Sequence, residues 1–452
     1  MIISNLKFIV SEGCNIPESI KKDALSLNFS KSEHILGYLE NCETDFSMFI
    51  FENIKFSSDN ISKLLTEHKE NWSILYSEFT DSEGKNFPLC SYSQGSVRDD
   101  FDFGKCMIIN NQKAKSILEN LDTNLNHAAL YDLRLQLSRV GEIVKTEKFY
   151  TLYNNSNDPD FENSHFSYCD PRNRDYQIEA EKVFTKYLKQ INAYITPCTS
   201  EITDFDRIVS SFKYTASVII PVKNRPNTIK DAINSALSQK TDFDFNVIVV
   251  NNHSESSTTE AINSIKNQRL VHLIPKEENL GIGGCWNLGI NNENCGAFAV
   301  QLDSDDVYSD TDTLQKIVDT FRKEKCGVVI GSYRLTDIEM KPLNNLIIDH
   351  REYTQENGAN NALRVNGFGA PRCYFTPAVR QNQFKNFSYG EDYDLCLRLS
   401  RKYKVARIFD VLYLCRRWSG NSDANLNQEA ITRNNTSKDS FRTEEIIART
   451  RK

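Results

Sequence analysis

The sequence predicts an α/β protein whose larger domain is a doubly wound, mostly parallel sheet. From residue 216 onward, short apolar runs rich in β-branched residues alternate with helical patterns, as in a parallel sheet covered by helices. Several runs end in polar residues, and ligands bind beyond the carboxyl ends of the strands in such sheets. The strand-like runs are the start of ASVIIPVKNRPNTIKDAINSALSQ (216–239), which ends at Pro221, and then FNVIVVNNHSESS (245–257), LVHLIP (270–275), CGAFAVQLDSDD (295–306) and KCGVVIGSYRL (325–335).

Composition limits the class of protein before any motif is considered. The chain has 452 residues, too many for one ordinary core, so we expect two domains with connecting segments. Its hydrophobic content of 39% and charged content of 25% are those of a folded protein. The net charge of −7 and the lack of a long basic run argue against nucleic acid as the main partner. An anionic substrate would therefore need a local cation, either arginine or a metal.

The cysteines and the apolar segments predict where the protein resides. Twelve cysteines are scattered without a C-x-x-C pair, so zinc ribbons and thioredoxin-like sites are unsupported. The opening MIISNLKFIVSEG lacks the basic start and apolar stretch of a signal peptide. No run approaches the ~18 apolar residues that span a bilayer. We therefore expect free thiols in a cytoplasmic protein without a transmembrane segment, with at most peripheral contact at the inner face of the membrane.

The N-terminal third contains a partial repeat of the C-terminal part. YDLRLQLSR (131–139) matches YDLCLRLSR (393–401) at seven of nine positions, a similarity that two unrelated amphipathic helices could also show. Upstream of each, in the same order, SMFIFENIKFSSD (47–59) resembles FAVQLDSDDVYSD (298–310). The two matches together favour a shortened, degenerate relative of the C-terminal domain.

The N-terminal copy lacks the acids of the C-terminal copy. In the aligned segments Phe51, Asn53 and Ile54 lie opposite Asp303, Asp305 and Asp306, and Ala129 and Leu130 lie opposite Glu391 and Asp392. Chemistry is therefore expected in the C-terminal domain alone. The expected segments are a degenerate domain without catalytic acids (1–154), a linker with one helix (155–213), a catalytic domain (214–424) and a polar tail (425–452).

Three carboxylates follow a predicted strand in LDSDD, residues 302–306. Mg²⁺ and Mn²⁺ favour oxygen ligands and accept one or two carboxylates together with substrate phosphate oxygens. A cation here would neutralise the charge that develops on a diphosphate leaving group. The motif alone is equally explained as an acidic turn capping the following helix at 311–319, because aspartate favours such positions.

Five spaced motifs in residues 216–423 resemble family 2 glycosyltransferases of the GT-A fold. Each motif is weak by itself, but all five stand in the family's order. They are VIIPVKNR, which resembles the first strand and the nucleotide-facing turn; VIVVNNHS, the second strand; NLGIGGCWNLGI (279–290), the glycine segment; LDSDD, the metal motif; and YGEDYDLCLRL (389–399), the Glu-Asp motif of the catalytic base.

The resemblance implies an inverting hexosyl- or N-acetylhexosaminyl-transferase that depends on Mn²⁺ or Mg²⁺. Its donor would be a nucleotide diphosphate sugar, with a UDP-sugar expected, and its acceptor a hydroxyl of a glycan or lipid-linked glycan. By analogy alone, the process would be cell-surface polysaccharide assembly. One alternative keeps the fold as an inactive protein that binds glycan or nucleotide. The other, a nucleotidyltransferase, would need a glycine-rich Lys/Arg signature that is not found near Pro221.

The resemblance also assigns roles to residues. Asp392 would be the general base and Glu391 its support, although both acids also suit a helix N-terminus. Departures from the family pattern are Asn251 and Asn252 in place of acids, and Trp286 where a cation is usual, so Arg416 and Arg417 become candidates for the phosphates. The expected metal ligands are Asp303, Asp305 and Asp306; the expected nucleotide-sugar contacts are Pro221, Val222, Asn224, Arg225, Asn251, Asn252, Gly281, Gly283, Asn287, Asp303, Ser304, Asp305, Arg416 and Arg417; and the expected acceptor contacts are Arg372, Tyr374 and Trp418.

Overall fold

The protein consists of two compact units. The first contains residues 1–194 and 426–452, and the second contains residues 195–425. The computed structural model describes residues 5–15, 20–68, 71–153, 167–421, 424 and 426–451.

The first unit is built on a six-stranded sheet with the order β2-β1-β3-β8-β5-β9, beside a small four-stranded sheet with the order β4-β10-β6-β7. Its apolar core lies on and around these strands and includes Val10, Met48, Leu75 and Ile108. The strands are β1 Leu6–Ser11, β2 Ala24–Leu27, β3 Phe46–Ile50, β4 Ile54–Phe56, β5 Trp72–Ser77, β6 Phe79–Thr80, β7 Asn86–Phe87, β8 Cys106–Asn110, β9 Glu142–Thr146 and β10 Tyr150–Leu152. The helices are α1 Ser32–Asn41, α2 Ser58–Glu67, α3 Asn111–Lys115, α4 Ala129–Leu137, α5 Arg174–Gln190 and, after the second unit, α14 Gln428–Thr450.

The second unit is built on one nine-stranded sheet, with the order β13-β12-β11-β14-β18-β16-β19-β15 and with β17 paired to β16. The strands are β11 Ala216–Val222, β12 Phe245–Asn251, β13 Leu270–Leu273, β14 Phe298–Gln301, β15 Val307–Tyr308, β16 Val328–Thr336, β17 Pro342–Ile348, β18 Arg372–Phe375 and β19 Val405–Arg416. The helices are α6 Phe205–Val209, α7 Ile229–Leu237, α8 Ser256–Asn263, α9 Ile282–Asn291, α10 Thr313–Glu324, α11 Gly358–Asn361, α12 Thr376–Asn382 and α13 Glu391–Ser400.

The α/β class predicted from the sequence is confirmed, and the strand pairing explains where polar residues gather. β11 pairs in parallel with β12 on one side and β14 on the other, so the carboxyl ends of three strands meet at one edge. The strands are continuously apolar because helices cover them, and every residue of β12 is buried. Among the covering helices, α7 buries Ile229, Ile233 and Ala236 at the 3.6-residue period.

The strand pairing in the first unit has the same arrangement as that in the second. In each sheet one strand lies between two parallel neighbours, β2-β1-β3 and β12-β11-β14. The next strand, β8 or β18, is antiparallel to both of its neighbours. A parallel pair follows, β5-β9 or β16-β19. Among the described residues of the first unit, β13 has no counterpart in the six-stranded order.

Two of the expected segment boundaries differ from the structure. The linker helix α5 buries Ala180, Val183, Phe184 and Leu188 and is part of the first unit, which extends to residue 194. The expected polar tail is helix α14, which also belongs to the first unit. Its sequence reads as polar because charged pairs occupy much of its buried face, including Arg442 with Asp439 at 2.8 Å and Arg449 with Glu445 at 2.8 Å.

Candidate active site

The predicted acids lie in the loop that connects β14, in the middle of the second sheet, to β15 at its edge. Residues 302–306 leave β14 and lead directly into β15, which pairs with β19 through Val307 and Leu414. Since β14 and β19 are separated by β18 and β16 in the strand order, this short connection requires the sheet to curl. The curl brings the residues that follow β19 beside the acids.

Asp303 is held by groups from two strands. The Gln301 Nε2 donates to both carboxylate oxygens of Asp303 at 3.2 Å, and the Asp303 backbone N–H donates to the Tyr413 Oη at 2.9 Å. Burial, and then the charge of Asp305, raises the pKa of the Asp303 carboxyl. Both causes disfavour the ionised form, so a cation at this carboxylate would be stabilising.

Asp305 faces donors from the segment after β19. Its Oδ2 accepts hydrogen bonds from the Trp418 Nε1 at 3.3 Å and from the Asn421 Nδ2 at 3.2 Å. The Arg225 Nε lies 3.7 Å from the same oxygen, and the Arg225 guanidinium carbon lies 5.9 Å from the centre of the Trp418 ring. Three of the predicted site residues therefore meet here, together with Asn421, which the sequence analysis did not identify.

Asp306 is turned into the protein, contrary to its predicted role as a metal ligand. Its side chain is 4% exposed, and its Oδ1 accepts the Arg416 backbone N–H at 2.8 Å. Burial, and then the charges of Asp305 and Asp303, raises the pKa of Asp306 well above its usual value. Asp306 therefore fixes the end of β19 against the acidic loop. The neighbouring Ser304 is also buried.

The two predicted phosphate-binding arginines differ in their surroundings. The Arg416 guanidinium is buried and its Nη2 pairs with the Asp231 Oδ2 at 2.8 Å. The Arg416 guanidinium is thus already paired with an acid of α7, and its contact with phosphate stays a prediction. The backbone N–H of Arg417 donates to the Thr336 oxygen at 2.7 Å, and a phosphate contact for its half-buried side chain stays a prediction.

The donor set at the acidic loop fits a cation that shares its ligands with a substrate. Among the described residues, no group of three or more His, Cys, Asp or Glu side chains is arranged to hold a metal ion. Mg²⁺ and Mn²⁺ sites with one or two carboxylates obtain their remaining ligands from water and phosphate oxygens. Asp303 and Asp305 are such carboxylates, and a bound diphosphate would have to complete the site.

The predicted base is connected to this loop. Asp392 lies in the first turn of α13, and its Oδ2 pairs with the Arg372 Nη1 at 2.8 Å. The same Nη1 donates to the Gln301 Oε1 at 3.2 Å, and Gln301 also holds Asp303. The acids that follow β14 and the acid at the start of α13 are thus parts of one site.

Glu391 is more buried than its neighbour Asp392. Its side chain is 7% exposed at the first position of α13. Burial, and then the charge of Asp392, raises the pKa of Glu391 to about 8. At neutral pH the Glu391 carboxyl therefore keeps its proton, while the Asp392 carboxylate is paired with Arg372. The sequence does not show which of the two acids is the more buried, because both suit a helix N-terminus equally.

The raised pKa of Glu391 predicts a pH dependence that Glu391→Gln removes. A carboxyl whose folded pKa lies above its unfolded value contributes stability that is lost as the pH rises from about 4.5 through 8. Between pH 5 and 8 the wild-type free energy of unfolding should therefore fall relative to that of the variant by on the order of 1 kcal/mol per pH unit, and the wild-type melting temperature should fall with it. Thermal melts across this range test it. The exposed Glu293→Gln is the control, and parallel curves for Glu391→Gln and wild type would refute the prediction.

The predicted acceptor residues of β18 are not both accessible. The Arg372 guanidinium is occupied by Asp392 and Gln301, and its Nε donates to the Phe368 oxygen at 3.0 Å. Tyr374 is 1% exposed, and its ring packs edge-on against Trp286 at 6.1 Å. Tyr374 and Trp286, which stands where a cation is usual, are thus core residues, and the acceptor contact of Tyr374 stays a prediction.

The two asparagines after β12 differ in the use of their side chains. Asn251 is 1% exposed; its Nδ2 donates to the Thr259 Oγ1 at 3.0 Å, and its Oδ1 accepts the Ser254 N–H at 3.0 Å. The Asn251 side chain is thus bonded within the turn, and its contact with the nucleotide stays a prediction. The Nδ2 of Asn252 donates to the Leu280 oxygen at 2.8 Å. The Asn252 Oδ1 is buried, and no hydrogen-bond donor among the described residues reaches it.

The turn after β11 is fixed by hydrogen bonds from Asn224. Asn224 has a φ of 55°; its N–H donates to the Ser254 Oγ at 3.0 Å and its Oδ1 accepts the Glu255 N–H at 2.9 Å. The turn after β11 is thereby joined to the turn after β12. Pro221 is partly exposed, while Val222 is 3% exposed and offers mainly its backbone.

The glycine segment holds the loop that precedes the base. A Cβ on Gly283 would lie 1.9 Å from the Lys385 oxygen, so only glycine allows this approach of two backbones. The Gly281 N–H donates to the Asn386 Oδ1 at 2.7 Å. Both polar groups of the Asn287 side chain bind the backbone of Phe384, at 2.8 and 2.9 Å. Asn287 therefore positions this loop, and its contact with the nucleotide sugar stays a prediction.

The second unit is an α/β domain with an acidic edge, and a comparison with family models shows what it resembles. Residues 217–375 match the family model described as Glycosyl transferase family 2. The resemblance to family 2 glycosyltransferases that the sequence motifs indicated is therefore confirmed for residues 217–375, and the α/β class of the second unit is confirmed.

Relatives of the chain are glycosyltransferases of rickettsiae. The chain is 33% identical over 135 residues to an uncharacterized glycosyltransferase of Rickettsia conorii, with 29% of the chain and 22% of the relative covered. It is 35% identical over 132 residues to one of Rickettsia bellii, with 28% and 18% covered. The chain thus spans only about a fifth of the length of these relatives.

Solved structures with a similar fold include two transferases. One is Staphylococcus aureus TarS 1–349 in complex with UDP-GlcNAc, at 16% identity and a TM-score of 0.37, with 52% of this chain and 72% of that chain covered. The other is the mannosyltransferase PcManGT of Pyrobaculum calidifontis in complex with GDP-Man and Mn²⁺, at 13% identity and a TM-score of 0.37, with 63% and 85% covered. Within the described part of this chain, no helix has the length and apolarity to cross a membrane.

Proposed function

We propose that the second unit transfers a sugar, with inversion, from a nucleotide diphosphate sugar to a hydroxyl of a glycan or lipid-linked glycan. The observation that carries the proposal is the path of contacts that joins Asp303 to Asp392 through Gln301 and Arg372. A site for the leaving diphosphate and a site for the attacking hydroxyl must lie side by side in such an enzyme. Acids from β14 and α13 meet this requirement.

In the proposed reaction the acceptor oxygen attacks the anomeric carbon as the bond to the diphosphate breaks. Asp392 takes the acceptor proton, a task for which it must be ionised and within hydrogen-bond reach of the hydroxyl. Arg372 pairs with the Asp392 carboxylate at 2.8 Å and so orients it. Glu391 beside it is neutral at pH 7 and could donate a hydrogen bond to the acceptor. A single displacement of this kind inverts the anomeric centre.

Asp303 and Asp305 would hold Mn²⁺ or Mg²⁺ together with the diphosphate. When bound, the cation supplies positive charge against the charge that develops on the leaving group. Arg225, 3.7 Å from Asp305, would add a second positive charge at the same place. Asp306 has no part in the proposal, because its Oδ1 is bonded to the backbone of Arg416.

A uracil base fits the unsatisfied oxygen of Asn252. A buried acceptor without a donor is costly, and the N3–H of uracil is a donor of the required kind. The orientation of the Asn252 amide is set by the hydrogen bond from its Nδ2 to the Leu280 oxygen, so its Oδ1 faces the other way. This supports a UDP-sugar as the donor, although the acid usual in the family is missing.

A panel of sugar nucleotides tests the proposal. The full chain should release a nucleoside diphosphate from at least one UDP-sugar in the presence of Mn²⁺ or Mg²⁺. Release of pyrophosphate instead would indicate nucleotidyl transfer. Tight nucleotide binding with no turnover of any donor, with or without glycan acceptors, would indicate a protein that only binds.

The first unit is proposed to be a non-catalytic copy of the second. Equivalent hydrogen bonds support a common origin: the Tyr131 hydroxyl donates to the Val97 oxygen and the Tyr393 hydroxyl donates to the Ala362 oxygen, both at 2.6 Å. Where the second unit has Asp303, the aligned position holds Phe51, whose ring meets Phe29 edge-on at 5.4 Å. An aromatic side chain thus stands at the position aligned with Asp303.

This assignment predicts one donor site per chain. Calorimetric titration with UDP and Mn²⁺ should give a stoichiometry of about one, and Asp305→Ala should abolish the signal. Phe51→Ala, which changes only the first unit, should leave both the stoichiometry and the affinity unchanged. Two sites per chain, or a residual site in Asp305→Ala, would contradict the assignment.

A further inference from the structure

Gln301 occupies an unusual place for a polar side chain. It is the last residue of β14, whose other residues are apolar, and it is 6% exposed. Its neighbour across the sheet is Arg372, the first residue of the antiparallel strand β18. A buried polar side chain is retained in a strand only where its hydrogen-bonding groups are satisfied, and those of Gln301 are satisfied by site residues.

Each end of the Gln301 amide binds a different part of the site. The Nε2 donates to both oxygens of Asp303 at 3.2 Å. The Oε1 accepts the Arg372 backbone N–H at 3.0 Å and the Arg372 Nη1 at 3.2 Å. The reverse orientation would place an oxygen against a carboxylate and an amino group against two donors. The hydrogen-bond pattern therefore fixes the amide orientation.

Arg372 continues the path to the base. Its Nε is anchored by the Phe368 oxygen at 3.0 Å, and its Nη1 is shared between the Gln301 Oε1 and the Asp392 Oδ2. The guanidinium is planar and rigid, so two anchors on one side determine where it presents Nη1 to Asp392. Without Gln301, only the Phe368 contact and the ion pair itself would orient the group.

We propose that Gln301 is a positioning residue that joins the donor-side acid Asp303 to the acceptor-side base Asp392 through Arg372. This inference rests on the proposed glycosyl transfer. Gln301 touches neither substrate in this scheme; it holds the guanidinium that orients the base. An amide is required because the position must donate to a carboxylate and accept from an arginine at once. Glutamate cannot donate when ionised, and methionine can do neither well.

The rate test uses Gln301→Met, which keeps the length of the side chain and removes the amide. With the UDP-sugar that wild type turns over, kcat should fall about tenfold to a hundredfold, since a misplaced catalytic group has effects of this size. Affinity for UDP with Mn²⁺ should stay within about threefold of wild type. The matched control is Gln315→Met, because the Gln315 Nε2 also donates to both oxygens of an aspartate, Asp319, at 3.0 and 3.1 Å on the exposed face of α10. It should leave kcat unchanged.

A double-mutant cycle separates positioning from a general structural effect. If Gln301 acts through the base, Gln301→Met should slow the Asp392→Asn enzyme by less than about twofold, because the group it orients is already disabled. A full additional loss in the double variant, or a loss of UDP affinity as large as the loss of rate, would overturn the inference.

The same double-mutant cycle can be measured on the melting temperature, which needs no substrate. It therefore tests the connection between Gln301 and Asp392 even if no sugar nucleotide is turned over. Gln301 and Asp392 are joined only through Arg372, yet the melting temperature of the double variant should exceed the additive expectation by at least about 2 °C. A non-additive melting temperature in a protein that turns over no donor would reject the proposed transfer but support the connection between Gln301 and Asp392. Additive shifts would reject the connection even in an active enzyme.

Discussion

Asp392→Asn should lower the rate of sugar transfer by roughly 10²- to 10⁴-fold while leaving donor binding intact. The amide cannot take the acceptor proton, and it loses the ion pair with Arg372 at 2.8 Å. The donor side of the site, at Asp303 and Asp305, keeps its own contacts. Initial rates of nucleoside diphosphate release, with calorimetric affinity for UDP and Mn²⁺, measure the two effects separately.

The control for this variant is Asp410→Asn, an aspartate of β19 whose side chain is 67% exposed and pairs with Lys316 at 3.5 Å. Its rate should match that of wild type. A near-normal rate for Asp392→Asn would move the role of base to another group. Glu391 would then be the first candidate, and Glu391→Gln, which retains neutral charge at that position, would have to be the slow variant.

Strand and helix positions in the second unit could be predicted because each has a strong local signal. The run FAVQ is apolar and precedes a cluster of acids, and the structure has β14 at Phe298–Gln301. YDLCLRLS has helical periodicity, and the structure has α13 there. The motifs also identified the edge of the sheet where the acids lie, because carboxyl ends of parallel strands meet.

The direction of individual side chains could not be predicted from motifs. Asn251 and Asn252 are neighbours in the sequence, yet only Asn252 keeps an oxygen free of partners among the described residues. That difference arises from the turn after β12, where His253 has a φ of 52°. Arg372 begins β18, whereas Tyr374 lies two residues further along the strand, roughly 7 Å away, and packs against Trp286.

Two further features depend on contacts between distant segments. Gln301 is a polar residue at the end of an apolar strand, and this pattern could have identified it. Its partner Arg372, however, is 71 residues away in the sequence. The sequence of helix α14 resembles a polar tail, but its buried charges are paired. Asp439 lies 3.3 Å from the Nε of Arg98, which is 341 positions earlier. Charge pairing across such distances leaves no local periodicity for the sequence to show.

Asp305→Ala should abolish cation-dependent binding of UDP, the second large effect expected. Asp305 is the acid that faces donors rather than carboxylates: Trp418 Nε1, Asn421 Nδ2 and Arg225 surround its Oδ2. Without it those three donors lose their shared acceptor, and Asp303 alone remains to hold a cation. The expected loss of affinity follows from Coulomb's law. A unit charge pair at ~4 Å and an effective dielectric near 20 contributes on the order of 4 kcal/mol, or about a thousandfold in affinity.

The matched control for Asp305→Ala is Asp310→Ala, which removes an exposed carboxylate a few residues further along while keeping the backbone oxygen that accepts from Gln239 at 2.7 Å. Titration of UDP with and without Mn²⁺ should show a metal-dependent gain for wild type and for Asp310→Ala, and none for Asp305→Ala. An unchanged gain in Asp305→Ala would remove this residue from the cation site. Since Asp306 is committed to the Arg416 backbone, Asp303 would then have to hold the ion with phosphate and water alone, an arrangement one carboxylate can support only weakly.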